Sequence, residues 1–207
     1  MAARKSASVP PRSIVSRQEL PTDTVALARW LIGKALIHET PDGLTSGRIV
    51  ETEAYLVGDA SSHAFKGPTR RNSAMFLDRG HAYVYFIYGT WFCMNVSSET
   101  KGVGAAVLIR ALQPITGIEL MARRRGTSGI RDLARGPGRL AQAMAIDARQ
   151  DGADLCGGGP FHLAHVDSSL AEIGESRRIG ITKEADRILR FYERGSDFVS
   201  GPTRLSL

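Results

Sequence analysis

The sequence predicts a single α+β domain, a mainly antiparallel β-sheet with helices flanking it. Three observations carry this. Three stretches, near residues 24–32, 117–129 and 133–146, carry helical signals, while several others are apolar, aromatic or β-branched runs of strand length. The chain has 207 residues, 43% hydrophobic and 23% charged, enough to bury one substantial core but not two large ones. No internal repeat interrupts it.

Residues 1–13, MAARKSASVPPRS, are basic and lack an apolar segment, so they read as a disordered tail with a domain over 14–207. Capping residues at Thr22 to Thr24 open a helix with Val25, Ala28 and Ile32 at helical spacing and Leu27 and Leu31 beside them. A strand follows Gly33. Gly47–Tyr55 (GRIVETEAY), His81–Gly89 (HAYVYFIYG) and Ala105–Leu112 (AAVLIRAL) have strand composition. Between the first two, Leu56–Gly80 is a long polar connection rich in Gly, Pro and Ser, the type of loop that often carries function. Downstream, Gly117–Gly129 reads as helix with a basic end and Leu133–Ile146 as helix entered through a Gly-Pro-Gly turn. Asp151–Val166 is a turn-rich approach to a strand, and Arg187–Gly201 supplies a last strand or two.

Lys and Arg outnumber Asp and Glu by 27 to 21, a net charge of +6 that favours polyanionic partners without identifying one. The two cysteines, Cys93 and Cys156, form no CxxC or Cys/His pattern, which argues against a disulfide scaffold or structural metal and fits a reducing cytoplasm. No apolar run reaches the roughly 20 residues that span a bilayer. Neither a metal, a cofactor nor a membrane is expected.

In Ile49–Tyr55 the strand period of two sends Ile49, Glu51, Glu53 and Tyr55 to one face and Val50, Thr52 and Ala54 to the other. Such glutamates are ordinarily solvated; beside a tyrosine, one could instead be a general base next to a stacking platform. The same period places Tyr83, Tyr85 and Ile87 on one face and Val84, Phe86 and Tyr88 on the other, with Tyr88 at a strand tip before Gly89. An aromatic stripe of this kind is usually core, but three tyrosines in six residues near basic loops also suit base stacking or insertion into a duplex. His63 has no ligand-spaced partner and would stack or hydrogen-bond. Lys66, Arg70, Arg71, Arg123, Arg124, Arg125, Arg135 and Arg139 are either a solvated face or phosphate contacts.

GRIVETEAY, the following loop histidine, RRNSAMF, YVYFIYGTWFCMNVSSE, VLIRALQP and GPGRLAQAMAI occur in an order and spacing that resemble the alkyladenine (3-methyladenine) DNA glycosylase family, from about Thr24 to Gly201. That resemblance implies a curved sheet with a protruding β-hairpin that enters the DNA minor groove, and excision of damaged purines from double-stranded DNA by a monomer of cytoplasmic, nucleoid-associated type. It implies Glu53 as the general base that activates water, Arg110 as the arginine that orients it, and the main chain at Ile179 as a further contact. Tyr55, His63 and Tyr85 correspond to the walls around the flipped base, Asn95 to the residue that crowds the guanine amine, and Tyr88 to the intercalating wedge. Arg70, Arg71, Arg135 and Arg139 are the candidates for the DNA backbone. Two other classes remain open on residues alone: a carbohydrate glycosidase using Glu51 and Glu53 as its carboxylate pair, and a non-catalytic damaged-DNA-binding module that would not need Glu53.

Overall fold

A computed structural model describes residues 13–87, 89–167 and 172–201. Most of the expected tail, and Tyr88, therefore lie outside the described residues; Ser13 is described, and its carbonyl accepts the His165 N–H at 2.8 Å.

The strands are β1 (Ala35–Thr40), β2 (Gly43–Tyr55), β3 (Ala82–Ile87), β4 (Trp91–Ser97), β5 (Ala106–Thr116), β6 (Phe161–Ala164), β7 (Ile173–Arg177) and β8 (Ile188–Glu193). They form one antiparallel sheet in the order β3-β4-β5-β2-β1-β6, with β8 branching from β2 and β7 from β8. The branch exists because β2 is long. Its first half pairs with β1 through Gly43 to Arg48, and along the same edge Glu51 to Glu53 pair with β8. Its other edge is taken by β5. A strand with neighbours on both edges and covered faces leaves little room for solvent, and Glu51, Thr52, Glu53 and Ala54 are all buried.

The helices are α1 (Thr24–Leu31), α2 (Ile118–Arg125) and α3 (Pro137–Ala143). Asp23 caps α1 by accepting the Ala26 N–H at 2.7 Å, and the helix buries Thr24, Leu27, Ala28 and Leu31. It stops one residue earlier than the spacing predicts: Ile32 is already extended, and Gly33 turns with a φ of 86°. α3 starts as expected, with Pro137 in the first turn, where a missing N–H costs nothing. Leu27, Leu31, Leu36, Ile49, Met94, Ile109, Met121 and Leu140 belong to the main core, between the helices and one face of the sheet.

One sequence expectation is corrected here. Ile49 does not share a face with Glu51: it packs in the main core with Ala54, whereas Val50 packs with Ala111, Tyr192 and Val199. The cause is a pair of opposed bulges. Ile49 faces Leu112 and Glu51 faces Ala111, leaving Val50 extra on β2; Thr52 then faces Ile109, leaving Arg110 extra on β5. Bulges re-aim side chains. Beyond them the alternation holds, with Thr52 donating to the Ala28 carbonyl of α1 at 2.9 Å on one face and Glu51, Glu53 and Tyr55 on the other. Two strands were not foreseen, β4 and β7. β7 (IGESR) has a single apolar side chain and is held by its pairing with β8.

Candidate active site

A cavity of about 530 Å³ opens on the face of the sheet away from α1, within the range of about 300–1,000 Å³ usual for small-ligand sites. Its wall brings together residues far apart in sequence: Tyr55 from the end of β2, His63 from the long loop, Tyr83 and Tyr85 from β3, Cys93 and Asn95 from β4, Arg110 from β5 and Ile179 from the turn after β7. Period-two alternation explains each pair, since residues two apart on a strand project to one side.

Glu53 stands directly behind this wall. Its carboxylate is itself fully buried, and all three groups that hold it line the cavity. The Ile179 N–H donates to Oε1 at 2.7 Å, the Tyr55 hydroxyl donates to Oε2 at 3.0 Å, and Arg110 Nη1 lies 3.2 Å from Oε2. Burial raises the Glu53 pKa above the ordinary carboxylate value, with neighbouring Glu51 pushing the same way; Arg110, the Ile179 N–H and the Tyr55 hydroxyl pull against them. A carboxyl group poised upward is suited to accept a proton near neutral pH.

Glu51, two residues away, has a different life. It accepts from Arg110 Nε at 2.9 Å, Arg190 Nε at 2.7 Å, the Ser200 N–H at 2.6 Å and the Ser200 hydroxyl at 2.9 Å. Those four donors match the roughly four acceptor positions of a carboxylate. Glu51 anchors the 198–201 segment and fixes Arg110; fully buried and tied to two arginines and Ser200, it is a structural carboxylate rather than one half of the catalytic pair that a sugar glycosidase would need.

The aromatic residues divide into two sets. The His63 and Tyr85 rings touch edge to face, with centroids 4.5 Å apart, and Tyr83 stacks on Tyr85 at 5.4 Å. A planar ligand between two rings needs two stacking separations of about 3.5 Å each, so nothing fits between His63 and Tyr85. They form one wall; Tyr55 reaches the cavity from a different strand, β2. Tyr55 is backed by the Arg178 guanidinium, 4.7 Å from its ring centroid. Burial raises the Tyr55 and Tyr85 hydroxyls well above the normal tyrosine range and Tyr83 to about 12, so all three remain neutral donors. Burial and Arg71 lower the pKa of His63, whose Nδ1 lies 2.8 Å from the Tyr83 hydroxyl. A neutral imidazole can face an electron-poor ring without charge repulsion. Asn95 is buried, its amide Nδ2 3.3 Å from the Tyr83 carbonyl.

The basic candidates do not all meet at the cavity. Arg135 and Arg139 line the cavity; Arg135 donates to the Val199 and Gly201 carbonyls at 2.7 and 3.3 Å, and Arg139 lies 3.4 Å from Asp132. Arg70 and Arg71 are exposed at the 3-10 helix Arg70–Phe76, and Arg71 donates to the Phe86 carbonyl at 2.9 Å. Phe86 and Trp91, on the two strands of the β3–β4 hairpin, are exposed large apolar side chains.

A family model described as methylpurine-DNA glycosylase matches residues 18–197. The chain belongs to that family. It is a DNA glycosylase, an enzyme of base excision repair. A relative from Mesorhizobium japonicum is 61% identical over 191 residues, 92% of either chain. One from Paraburkholderia phytofirmans is 49% identical over 189 residues, 91% of this chain and 89% of its own. One from Methanoculleus marisnigri is 47% identical over 182 residues, 86% of this chain and 94% of its own. All three carry the provisional name 3-methyladenine DNA glycosylase. Among the described residues, no helix is long and apolar enough to cross a membrane.

Sequence reasoning missed Arg178 and Asp59. Tyr83 was visible in the alternating stripe but unassigned, and Cys93 shares the period of Asn95. Nothing local marks a buried ion pair whose partners stand 119 residues apart.

Proposed function

We propose that this glycosylase swings an alkylated or deaminated purine out of duplex DNA, holds it between Tyr55 and the His63–Tyr85 wall, and hydrolyses its N-glycosyl bond with Glu53 as general base. The observation that carries the reading is the Glu53 carboxylate, buried at the wall of an aromatic cavity and gripped by Arg110, Tyr55 and the Ile179 N–H. Those three donors occupy three of the roughly four acceptor positions of a carboxylate. The fourth, on Oε1, is assigned to the nucleophilic water.

The water oxygen attacks C1′ of the extruded nucleotide as the bond to the purine nitrogen breaks. With a cationic 3-methyladenine or 7-methylguanine the bonding electrons pass to the ring and neutralise the charge that methylation placed there, and the water gives up its proton to Glu53; a neutral lesion such as hypoxanthine or ethenoadenine must in addition take a proton from solvent on its ring as it leaves. Arg110 orients the carboxylate. Because an alkylated purine is cationic, the electron-rich faces of Tyr55 and Tyr85 favour it over a normal base. The products are a free base and an abasic site. Among the described residues lining the cavity there is no lysine, in keeping with simple hydrolysis without strand cleavage rather than a Schiff base.

Extruding a base costs a few kcal/mol of stacking and pairing, offset by stacking of roughly 1–3 kcal/mol per base on aromatic side chains. Tyr88, which in sequence falls between β3 and β4, is assigned to fill the gap in the duplex through the minor groove, with Arg70, Arg71, Arg135 and Arg139 as the contacts to the phosphates. The substrates proposed are 3-methyladenine, 7-methylguanine, hypoxanthine and ethenoadenine. Base release from duplexes carrying each lesion tests the reading: Glu53→Gln should bind the damaged duplex yet release no base, and release at the unaltered rate would overturn it.

A further inference from the structure

The Ile179 N–H that meets Glu53 lies in a turn, Ile179-Gly180-Ile181, with no polar side chain of its own. The residue before it supplies the anchor. The Arg178 side chain is entirely shielded from solvent. Its Nη1 donates to the equally buried Asp59 carboxylate and to the Ala54 carbonyl at 3.0 Å, and Nη2 reaches the Glu184 carbonyl at 3.4 Å. Its flat face lies against the Tyr55 ring, 4.7 Å from guanidinium carbon to centroid. On the other side of the pair, Asp59 Oδ1 accepts the Ser61 N–H at 2.9 Å and the Ser61 hydroxyl at 2.6 Å, two residues before His63. One planar cation therefore gathers the end of β2, the His63 loop and the Ile179 turn.

Two buried charges are an expensive way to hold a core together, since well-packed apolar side chains of similar volume often serve stability as well or better. What the pair supplies instead is direction, through a fork of donors with fixed angles. We propose that Arg178, locked by Asp59, is a positioning residue of the hydrolytic site: it sets the Ile179 N–H on Glu53, backs the Tyr55 ring and orders the loop that carries His63. The proposal rests on Glu53 acting as the base.

A lysine at this position keeps a charge beside Asp59 but loses the fork and the flat face over Tyr55. The Ile179 turn then loosens, and the ionised form of Glu53 loses a hydrogen bond that favours it. The substitution leaves untouched Glu51 on the same strand, Arg110 on β5 and Arg190 on β8, while Tyr55, losing the guanidinium behind its ring, holds its own hydrogen bond to Glu53 less firmly, which acts in the same direction. Release should therefore require a higher pH to reach its plateau.

The test is single-turnover base release from methylated duplex DNA across pH, with thermal melting and DNA affinity measured on the same preparations. Wild type, Arg178→Lys, Asp59→Asn and Glu53→Gln are compared. Arg178→Lys and Asp59→Asn are expected to fold and to bind damaged duplex near wild-type affinity. They should release base about tenfold to a hundredfold more slowly at neutral pH, with the acid limb moved up by about one pH unit. A folded variant with the wild-type rate and limb, or one slowed equally at every pH, would overturn the proposal. If Arg178→Lys does not fold, Asp59→Asn decides, because asparagine keeps the volume and one acceptor oxygen. Glu53→Gln separates the two claims. Should it still release base, the general-base reading falls; should it be inactive while both other variants keep the wild-type profile, only the positioning role falls.

Discussion

Glu51 and Glu53 stand two residues apart on one buried face, yet their replacement by glutamine should have opposite consequences. In Glu51→Gln the change removes the charge that faces Arg110 at 2.9 Å and Arg190 at 2.7 Å, two guanidinium groups almost or wholly buried. Breaking a buried pair from one side costs about 3–5 kcal/mol, because the charge left behind stays out of water with its counter-charge removed or reduced. For a chain of this size a kcal/mol moves the melting temperature by about 2–4 °C, so Glu51→Gln should melt about 6–20 °C below wild type. Glu53 is the reverse case. Its pKa is raised on folding, chiefly by burial, so its contribution to stability is fully present below the unfolded-state pKa and declines as pH rises through the folded one. In its ionised form the carboxylate is a strain on the fold, and glutamine, which resembles the protonated acid, relieves it. Glu53→Gln should melt at or above the wild-type temperature while releasing no base. Differential scanning calorimetry at pH 7 reads both; a Glu51→Gln protein melting within a degree of wild type, with Glu53→Gln the destabilised one, would refute the division of labour between these carboxylates.

Two further outcomes follow from the cavity. Wild-type release should fall as pH drops through the Glu53 pKa, and because burial holds that value above the usual carboxylate range, the acid limb should lie above the pH at which an exposed glutamate titrates; single-turnover rates across pH measure it. Asn95→Ala removes a buried amide from the cavity wall, so release of guanine-type lesions should rise relative to adenine-type ones, by up to about tenfold to 200-fold if the amide acts by exclusion, measured as the ratio of kcat/KM on paired duplexes.

Much of the site was legible because strand alternation is a local rule. Glu51, Glu53 and Tyr55 share a face, Tyr83, Tyr85 and Ile87 line the cavity together, and the Gly-Pro-Gly turn does begin α3. What escaped depends on events elsewhere in the chain. The bulges at Val50 and Arg110 arise from the pairing of β2 with β5, and they moved Ile49 to the opposite face. That the glutamates are buried follows from β8 closing the edge that β1 leaves open, which no pattern within GRIVETEAY announces. β4 begins with the exposed Trp91 and the half-buried Phe92 and has no clean alternation; β7 is nearly all polar. The Arg178–Asp59 pair depends on the whole topology.

The paired glutamates also explain how one arginine can serve a carboxylate that changes charge during the reaction. Arg110 gives Nε to Glu51 and Nη1 to Glu53, at 2.9 and 3.2 Å. If Glu53 takes a proton from water as proposed, its attraction for the guanidinium weakens, and an arginine held by that contact alone would be free to swing away. Glu51 prevents this. Bound by Arg190 and by both donors of Ser200, it keeps its grip on Arg110 whichever form Glu53 takes, so the donor stays in place for the return of the base to its ionised state. The carboxylate proposed as the base is thus free to titrate because its neighbour, two residues away on the same strand, holds the fold.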